Sequence, residues 1–159
     1  MITIKQPPGS GICVIACIAM LTGRTLDEVL SIARLKLCDL TGNHFCPKRE
    51  ELRIFAELGY ATGMSPELDP PTRFYSDDLV EVEAFANIKD VPALLTVYDR
   101  TKYFNGYHAV VWDNEAMAIR DPSADVQDVV PLHFYKVKEW QIVREIRELE
   151  TLEKPRRTT

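Results

Sequence analysis

Gln6 to Leu21, QPPGSGICVIACIAML, is the stretch whose reading decides the fold. Pro7, Pro8, Gly9 and Gly11 interrupt regular structure, and Ser10 is a good N-cap residue. The spacing therefore predicts a helix with Gly11, Ile12 and Cys13 in its first turn. From Val14 to Leu21 no residue is charged, and a helix apolar on every side belongs in the middle of a domain. Cys13 thus stands at the mouth of a buried helix, beside unpaired backbone N–H groups and the positive end of the macrodipole. That setting favours thiolate over thiol, the form a nucleophile needs. Cys17, one turn further on, reads as core.

Outward from this helix, Thr22-Gly23 closes it and Thr25-Leu-Asp-Glu28 forms a capping box. Leu26, Val29, Leu30, Ala33 and Leu37 predict a second, amphipathic helix to about Leu37. Cys38 to Pro47 reads as loop. A third helix is predicted from about Lys48 to Leu58, burying Leu52, Phe55 and Leu58 and ending at Gly59. Tyr60 to Asp78 lacks periodicity and reads as loop, and Asp78 to Ile88 suits either a short helix or a strand. From Val91 the chain turns to β character. Strands are predicted at Ala93–Tyr98, Tyr107–Trp112 and Met117–Arg120, with one more from Val126 to Val130. Phe134 to Glu153 is predicted helical at its end, with Trp140, Ile142, Val143, Ile146 and Leu149 apolar. Helices first and sheet second give an α+β protein. Residues 1–153 form the single expected domain and 154–159 a charged tail.

The hairpin adds a sharper expectation. With Asn114-Glu115 at the centre of its turn, His108 lies opposite Asp121, Val110 opposite Ile119, and Trp112 opposite Met117, all on one face. Opposed Cβ atoms sit about 4.5–5.5 Å apart, close enough for a His–carboxylate hydrogen bond. Asp113 alternates to the other face. An imidazole oriented by a carboxylate is the base a cysteine nucleophile requires. Gln6 fits the remaining role, with its side-chain amide and the Cys13 backbone N–H as donors to an oxyanion. The candidate quartet is Gln6, Cys13, His108 and Asp121, and Asn105 and Tyr107 are placed beside its cleft.

Composition bounds the alternatives. The chain has 159 residues, 46% hydrophobic and 27% charged, enough for a real core. A net charge of −5 opposes a nucleic-acid surface. The N-terminal residues MITIKQPPG do not read as a signal peptide, and no apolar run approaches the ~20 residues of a membrane span. The expected location is cytoplasmic, where four cysteines stay reduced. Cys38, His44 and Cys46 supply only three potential ligands at irregular spacing, so neither metal nor organic cofactor is expected. His133 and Trp140 read as structural.

The pieces Gln6, Cys13-Val-Ile-Ala-Cys17-Ile-Ala-Met20, Gly106-Tyr-His-Ala-Val-Val-Trp112 and Ile119-Arg-Asp-Pro-Ser123, in that order, resemble the papain-like cysteine peptidases. Within them the chain is most similar to the bacteriocin-processing peptidases that cleave after double-glycine leaders. The resemblance spans about residues 1 to 140, including the LRIFAELGY helix. It implies a helical layer packed on an antiparallel sheet and a peptide or protein substrate. It also implies a thioacyl-enzyme mechanism with a Cys13-His108-Asp121 triad and a Gln6 oxyanion hole. Where that family usually has Asp-Cys-Gly, this chain has Ile12-Cys13-Val14. A deamidase or an acyl or peptidyl transferase would use the same groups, and a degenerate peptide-binding domain would keep the cleft without the chemistry.

Overall fold

The computed structural model describes residues 1–36, 46–65, 67, 88–98 and 106–147. Three helices come first: α1 (Cys13–Thr22), α2 (Leu26–Ile32) and α3 (Lys48–Glu57). They are followed by β1 (Tyr60–Met64), β2 (Ala93–Tyr98), β3 (Tyr107–Asp113), β4 (Ala118–Arg120) and β5 (Val129–Val130). A 3₁₀ turn at Leu132–Phe134 then leads into β6 (Lys136–Glu145). The strands form one antiparallel sheet in the order β1-β6-β2-β3-β4-β5. The architecture is α+β, as the sequence predicts.

α1 is buried from Ile15 to Thr22, as a helix without charged residues must be. It ends at Gly23, whose φ of 64° lies in the left-handed region that glycine occupies without strain. Its start differs from the sequence expectation. Ser10 does not cap the helix: its hydroxyl donates to the Pro7 carbonyl at 2.7 Å, closing the Pro7–Ser10 turn. Gly9 and Gly11, at φ of 73° and 64°, carry the chain out of that turn. Ile12 becomes the N-cap, without a side-chain bond, and Cys13 is the first helical residue. The local hydroxyl-to-carbonyl bond has won over the capping bond.

The Thr25–Glu28 capping box is present, with the Thr25 N–H donating to Glu28 at 2.8 Å. α2 ends at Ile32, short of the predicted Leu37, because Arg34 takes a left-handed φ of 59°. In α3 the buried face is Glu51, Ile54 and Phe55, and Leu52 is exposed. The expected face is thus correct at Phe55 and wrong at Leu52.

Two strands replace predicted loop and helix. Tyr60–Met64, expected as loop, pairs along β6 from Tyr60↔Glu145 to Met64↔Gln141. Lys136–Glu145, expected to lead into helix, is a strand bonded on both sides, to β1 and to β2. The apolar residues 140, 143 and 146 satisfy helical spacing as well as a strand does. Two ladders of backbone bonds decide between them. A shift in register between Thr96 and Val97 bends the β2–β6 pair.

The sheet separates two cores. Ile15, Ile18, Val29, Ile54, Phe55, Leu94 and Val111 fill the helix side. Leu95, Val97, Val110, Trp112, Ile119, Val137 and Trp140 fill the other, where the Trp112 indole donates to the Ile88 carbonyl at 2.8 Å. Ile88 is described, and the rest of the undecided 78–88 segment lies outside the described residues. Because the capping box satisfies backbone donors at the start of α2, Thr25→Ala is expected to lower stability by about 1 kcal/mol. Urea denaturation of the two proteins measures it.

Candidate active site

The β3–β4 hairpin brings the site's buried charge together, by a register different from the expected one. Val111 pairs with Arg120, Trp112 with Ile119 and Asp113 with Ala118. The predicted pairs of Trp112 with Met117, Val110 with Ile119 and His108 with Asp121 are each displaced by two residues. The cause is a four-residue turn. The Asp113 carboxylate accepts from the Ala116 N–H at 3.3 Å, and Met117 adopts a left-handed φ of 50° and faces solvent. A displacement of two residues preserves which face each side chain occupies. Asp121 therefore remains on the face of His108, as a diagonal neighbour within side-chain reach.

His108 and Asp121 meet at 2.9 Å, Nε2 to Oδ1, with only 3% and 0% of their surfaces exposed. Asp121 is saturated with donors. Its Oδ1 also accepts the Ser123 backbone N–H at 2.7 Å, and its Oδ2 accepts the Tyr135 hydroxyl. The Ser123 hydroxyl lies 3.1 Å from His108 Nε2. Asp113 takes no part: it is buried against Arg120 at 2.9 Å. Sequence reasoning missed Tyr135 and the role of Ser123. Ser123 lies within the Asp-Pro-Ser motif, which was a usable signal. Tyr135 follows a 3₁₀ turn inside a segment read as leading into helix, so its position carried none.

Nε2 is engaged by Asp121, which leaves Nδ1 for the third group. Cys13, partly exposed at the head of α1, is in hydrogen-bond contact with the His108 ring. Burial pushes the Cys13 thiol up. The His108 bond and charge, with backbone bonds from Ala109 and Val14, outweigh burial and leave the thiol below its ordinary value. Burial lowers His108, but its bonds to Asp121 and Cys13 raise it to about 9. Asp121 is raised by burial and lowered further by His108, Tyr135 and Ser123, to about 2. The three shifts favour one charge state, thiolate–imidazolium–carboxylate.

The other cysteines differ. Cys17 is fully buried and its thiol is pushed well up by burial. Burial, with Glu51 and Glu50 nearby, raises Cys46 to about 11. Cys38, His44 and Asn105 lie outside the described residues. Among the described residues no three His, Cys, Asp or Glu side chains group as metal ligands. Tyr107 is exposed on β3, with Lys138 donating to its hydroxyl at 3.0 Å. His133 is exposed in the 3₁₀ turn, and Trp140 is core.

Gln6 is fixed to the same region by its backbone. Its N–H donates to the Pro122 carbonyl at 2.8 Å, one residue beyond Asp121. Its side-chain Oε1 is buried, and among the described residues neither end of the amide makes a hydrogen bond. Val14 is partly buried and packs against the helical core.

The three helices and six-stranded antiparallel sheet form an α+β fold consistent with that of a papain-like peptidase domain. Among solved structures the chain is similar to the peptidase domain of Streptococcus ComA, a bifunctional ABC transporter involved in a quorum-sensing pathway. The TM-score is 0.54, with 13% sequence identity over 89% of this chain and 96% of that one. No protein-family model matches the chain, and no curated protein matches it in sequence. No helix among the described residues is long and apolar enough to cross a membrane.

Asp121→Asn is expected to cost about 3 kcal/mol, as removal of one member of a buried pair does. The signs fix its pH dependence. Asp121, folded at about 2 against an ordinary 3.8, contributes stability that is lost as pH falls through about 2. His108, folded at about 9 against an ordinary 6.5, contributes stability that is lost as pH rises through about 9. The wild-type advantage should therefore be largest between about pH 4 and 6.5 and shrink on both sides. Denaturant titrations at fixed pH values test this.

Proposed function

We propose that the chain is a cysteine peptidase that hydrolyses a peptide bond through a thioacyl intermediate. The observation that carries this reading is Cys13, a partly exposed residue, in hydrogen-bond contact with a His108 ring whose Nε2 is held by buried Asp121. In the proposed reaction the Cys13 thiolate attacks the carbonyl carbon. The resulting oxyanion is held by the Cys13 backbone N–H and the uncommitted Gln6 amide. The His108 imidazolium passes its proton to the leaving amine, and the C–N bond breaks to give the thioester. Water then attacks the thioester, with neutral His108 taking its proton, and the carboxylic acid product leaves as the thiolate re-forms. Asp121 keeps the ring in the tautomer and orientation both steps need.

The fold of the ComA peptidase domain supports a peptide or protein as substrate. The uncapped start of α1 supports the thiolate, since its N–H groups retain their partial positive charge for the sulfur and the oxyanion. A reducing compartment such as the cytoplasm would keep Cys13 in its working form.

Iodoacetamide labelling followed by peptide mass mapping is the direct test. At pH 6 to 7 Cys13 should be modified well ahead of Cys17 and Cys46, and His108→Ala should abolish the preference. Equal labelling of all three, or labelling indifferent to His108, would refute a thiolate–imidazolium pair. With a cleavable peptide, kcat/KM should fall on the alkaline side near pH 9 as the imidazolium loses its proton. Cys13→Ala should reduce turnover to background. Product mass separates hydrolysis of a chain from glutamine deamidation or acyl transfer.

A further inference from the structure

The Lys5 side chain is folded into the turn that carries Asp121. Its ammonium donates to the backbone carbonyls of Asp121 at 2.9 Å, Ser123 at 3.1 Å and Val126 at 2.8 Å. An ammonium has three N–H bonds, and here all three end on one turn. The exposed Asp128 carboxylate lies 3.3 Å away. The neighbouring residue, Gln6, closes onto the same turn through the Pro122 carbonyl, and the Thr3 hydroxyl donates to the Asp128 carbonyl at 2.9 Å. A lysine ordinarily keeps its head in water. Here it replaces the missing ladder beyond Arg120, where β4 ends just before the residues whose placement matters most.

We infer that Lys5 is a positioning residue for the site: by gathering three carbonyls around one ammonium it aims the Asp121 carboxylate at His108 and holds the Gln6 amide in register with it. The inference rests on the cysteine-peptidase reading of Cys13. Lys5 acts through Asp121 and Gln6 and takes no part in proton or acyl transfer. Its hydrogen bonds go to main-chain carbonyls, so it sets geometry and leaves the carboxylate free for its three donors. Loss of the clamp lets the turn relax, lengthens the Asp121–His108 bond, and weakens the imidazolium that holds Cys13 as thiolate.

The experiment is the pH profile of Cys13 alkylation by iodoacetamide on the full chain, read by peptide mass mapping. Circular dichroism reports the fold of each variant. Among the described residues, the groups facing the His108 ring include Cys13 from α1, Asp121 and Ser123 from the turn, and Tyr135 ahead of β6. In folded Lys5→Met, alkylation at pH 6 should slow on the order of tenfold, one pKa unit of lost thiolate. The inflection due to the imidazolium should move down from about 9. Lys5→Arg, which can still donate to several carbonyls, should recover most of both. Asp128→Asn should keep the wild-type profile, and a shift as large as that of Lys5→Met would overturn the carbonyl account. A folded Lys5→Met with a lower melting point but an unmoved profile has lost only a structural tie, and the inference falls. If Lys5→Met does not fold, Lys5→Gln, with two donors and no charge, is read by the same criterion. Wild-type protein without preferential Cys13 labelling removes the peptidase reading itself. Preferential labelling that is insensitive to Lys5 removes this inference alone.

Discussion

A carboxylate with none of its surface exposed is the constraint on which the rest of the structure turns. Asp121 can stay ionised only because His108, the Ser123 N–H and the Tyr135 hydroxyl replace the water it has lost. Each donor comes from a different part of the chain: β3, the turn after β4, and the approach to β6. The sheet must therefore be assembled before the charge can be buried. In turn, the buried charge penalises any arrangement of β3, β4 and β6 that leaves it unpaired. The apolar faces penalise a slip of one residue, and the buried carboxylate adds a polar check on slips that keep the face.

The same pair extends its influence to the helical layer. α1 is held between the helix-side core and β3 by apolar packing, which fixes its axis but says little about the chemistry at its first residue. The turn at Pro7–Ser10 supplies the rest. By spending the Ser10 hydroxyl on Pro7, it leaves the start of α1 without a side-chain cap and brings Cys13 to the first helical position. A Ser or Asp capping bond would stabilise the helix, but it would also occupy the N–H groups that a sulfur anion could use. α1 thus starts without a side-chain cap, as α3 does, and one of its open donors, the Val14 N–H, bonds the Cys13 sulfur instead.

How much of this could be read from the letters depends on the range of the interactions concerned. The uncharged run after Cys13, the Thr25–Glu28 box and the β-rich segments at 93–98 and 107–112 report local physics, and they fold as they read. β1 and β6 do not. Tyr60–Met64 has little pattern of its own and becomes a strand only because β6 accepts it. β6 contains apolar residues compatible with both periods and is decided by neighbours on both sides. The buried face of α3 fails at Leu52 for a similar reason: buried Glu51 bonds Lys48, and that ammonium also donates to Gln141 of β6 at 3.1 Å. The meeting of Cys13, His108 and Asp121 is legible from order and alternation. Lys5 and Tyr135 are not, because their contacts span long separations and no periodicity announces them.

The hairpin shows why a mistaken turn did not cost the contact. The two-residue turn placed Asp121 directly opposite His108, and the actual four-residue turn moves it by two positions along β4. Side chains on a strand alternate, so a slip of one would have put the carboxylate on the other face, beyond any reach of the imidazole. A slip of two leaves it on the same face, one diagonal away, with Ser123 next to the ring instead. The serine then bonds the imidazole with its hydroxyl and the carboxylate with its N–H, closing the extra distance from both ends. What the sequence specifies most firmly in a hairpin is thus the face. The turn settles which neighbour sits opposite, and the side chains available on that face determine whether the resulting gap can be bridged.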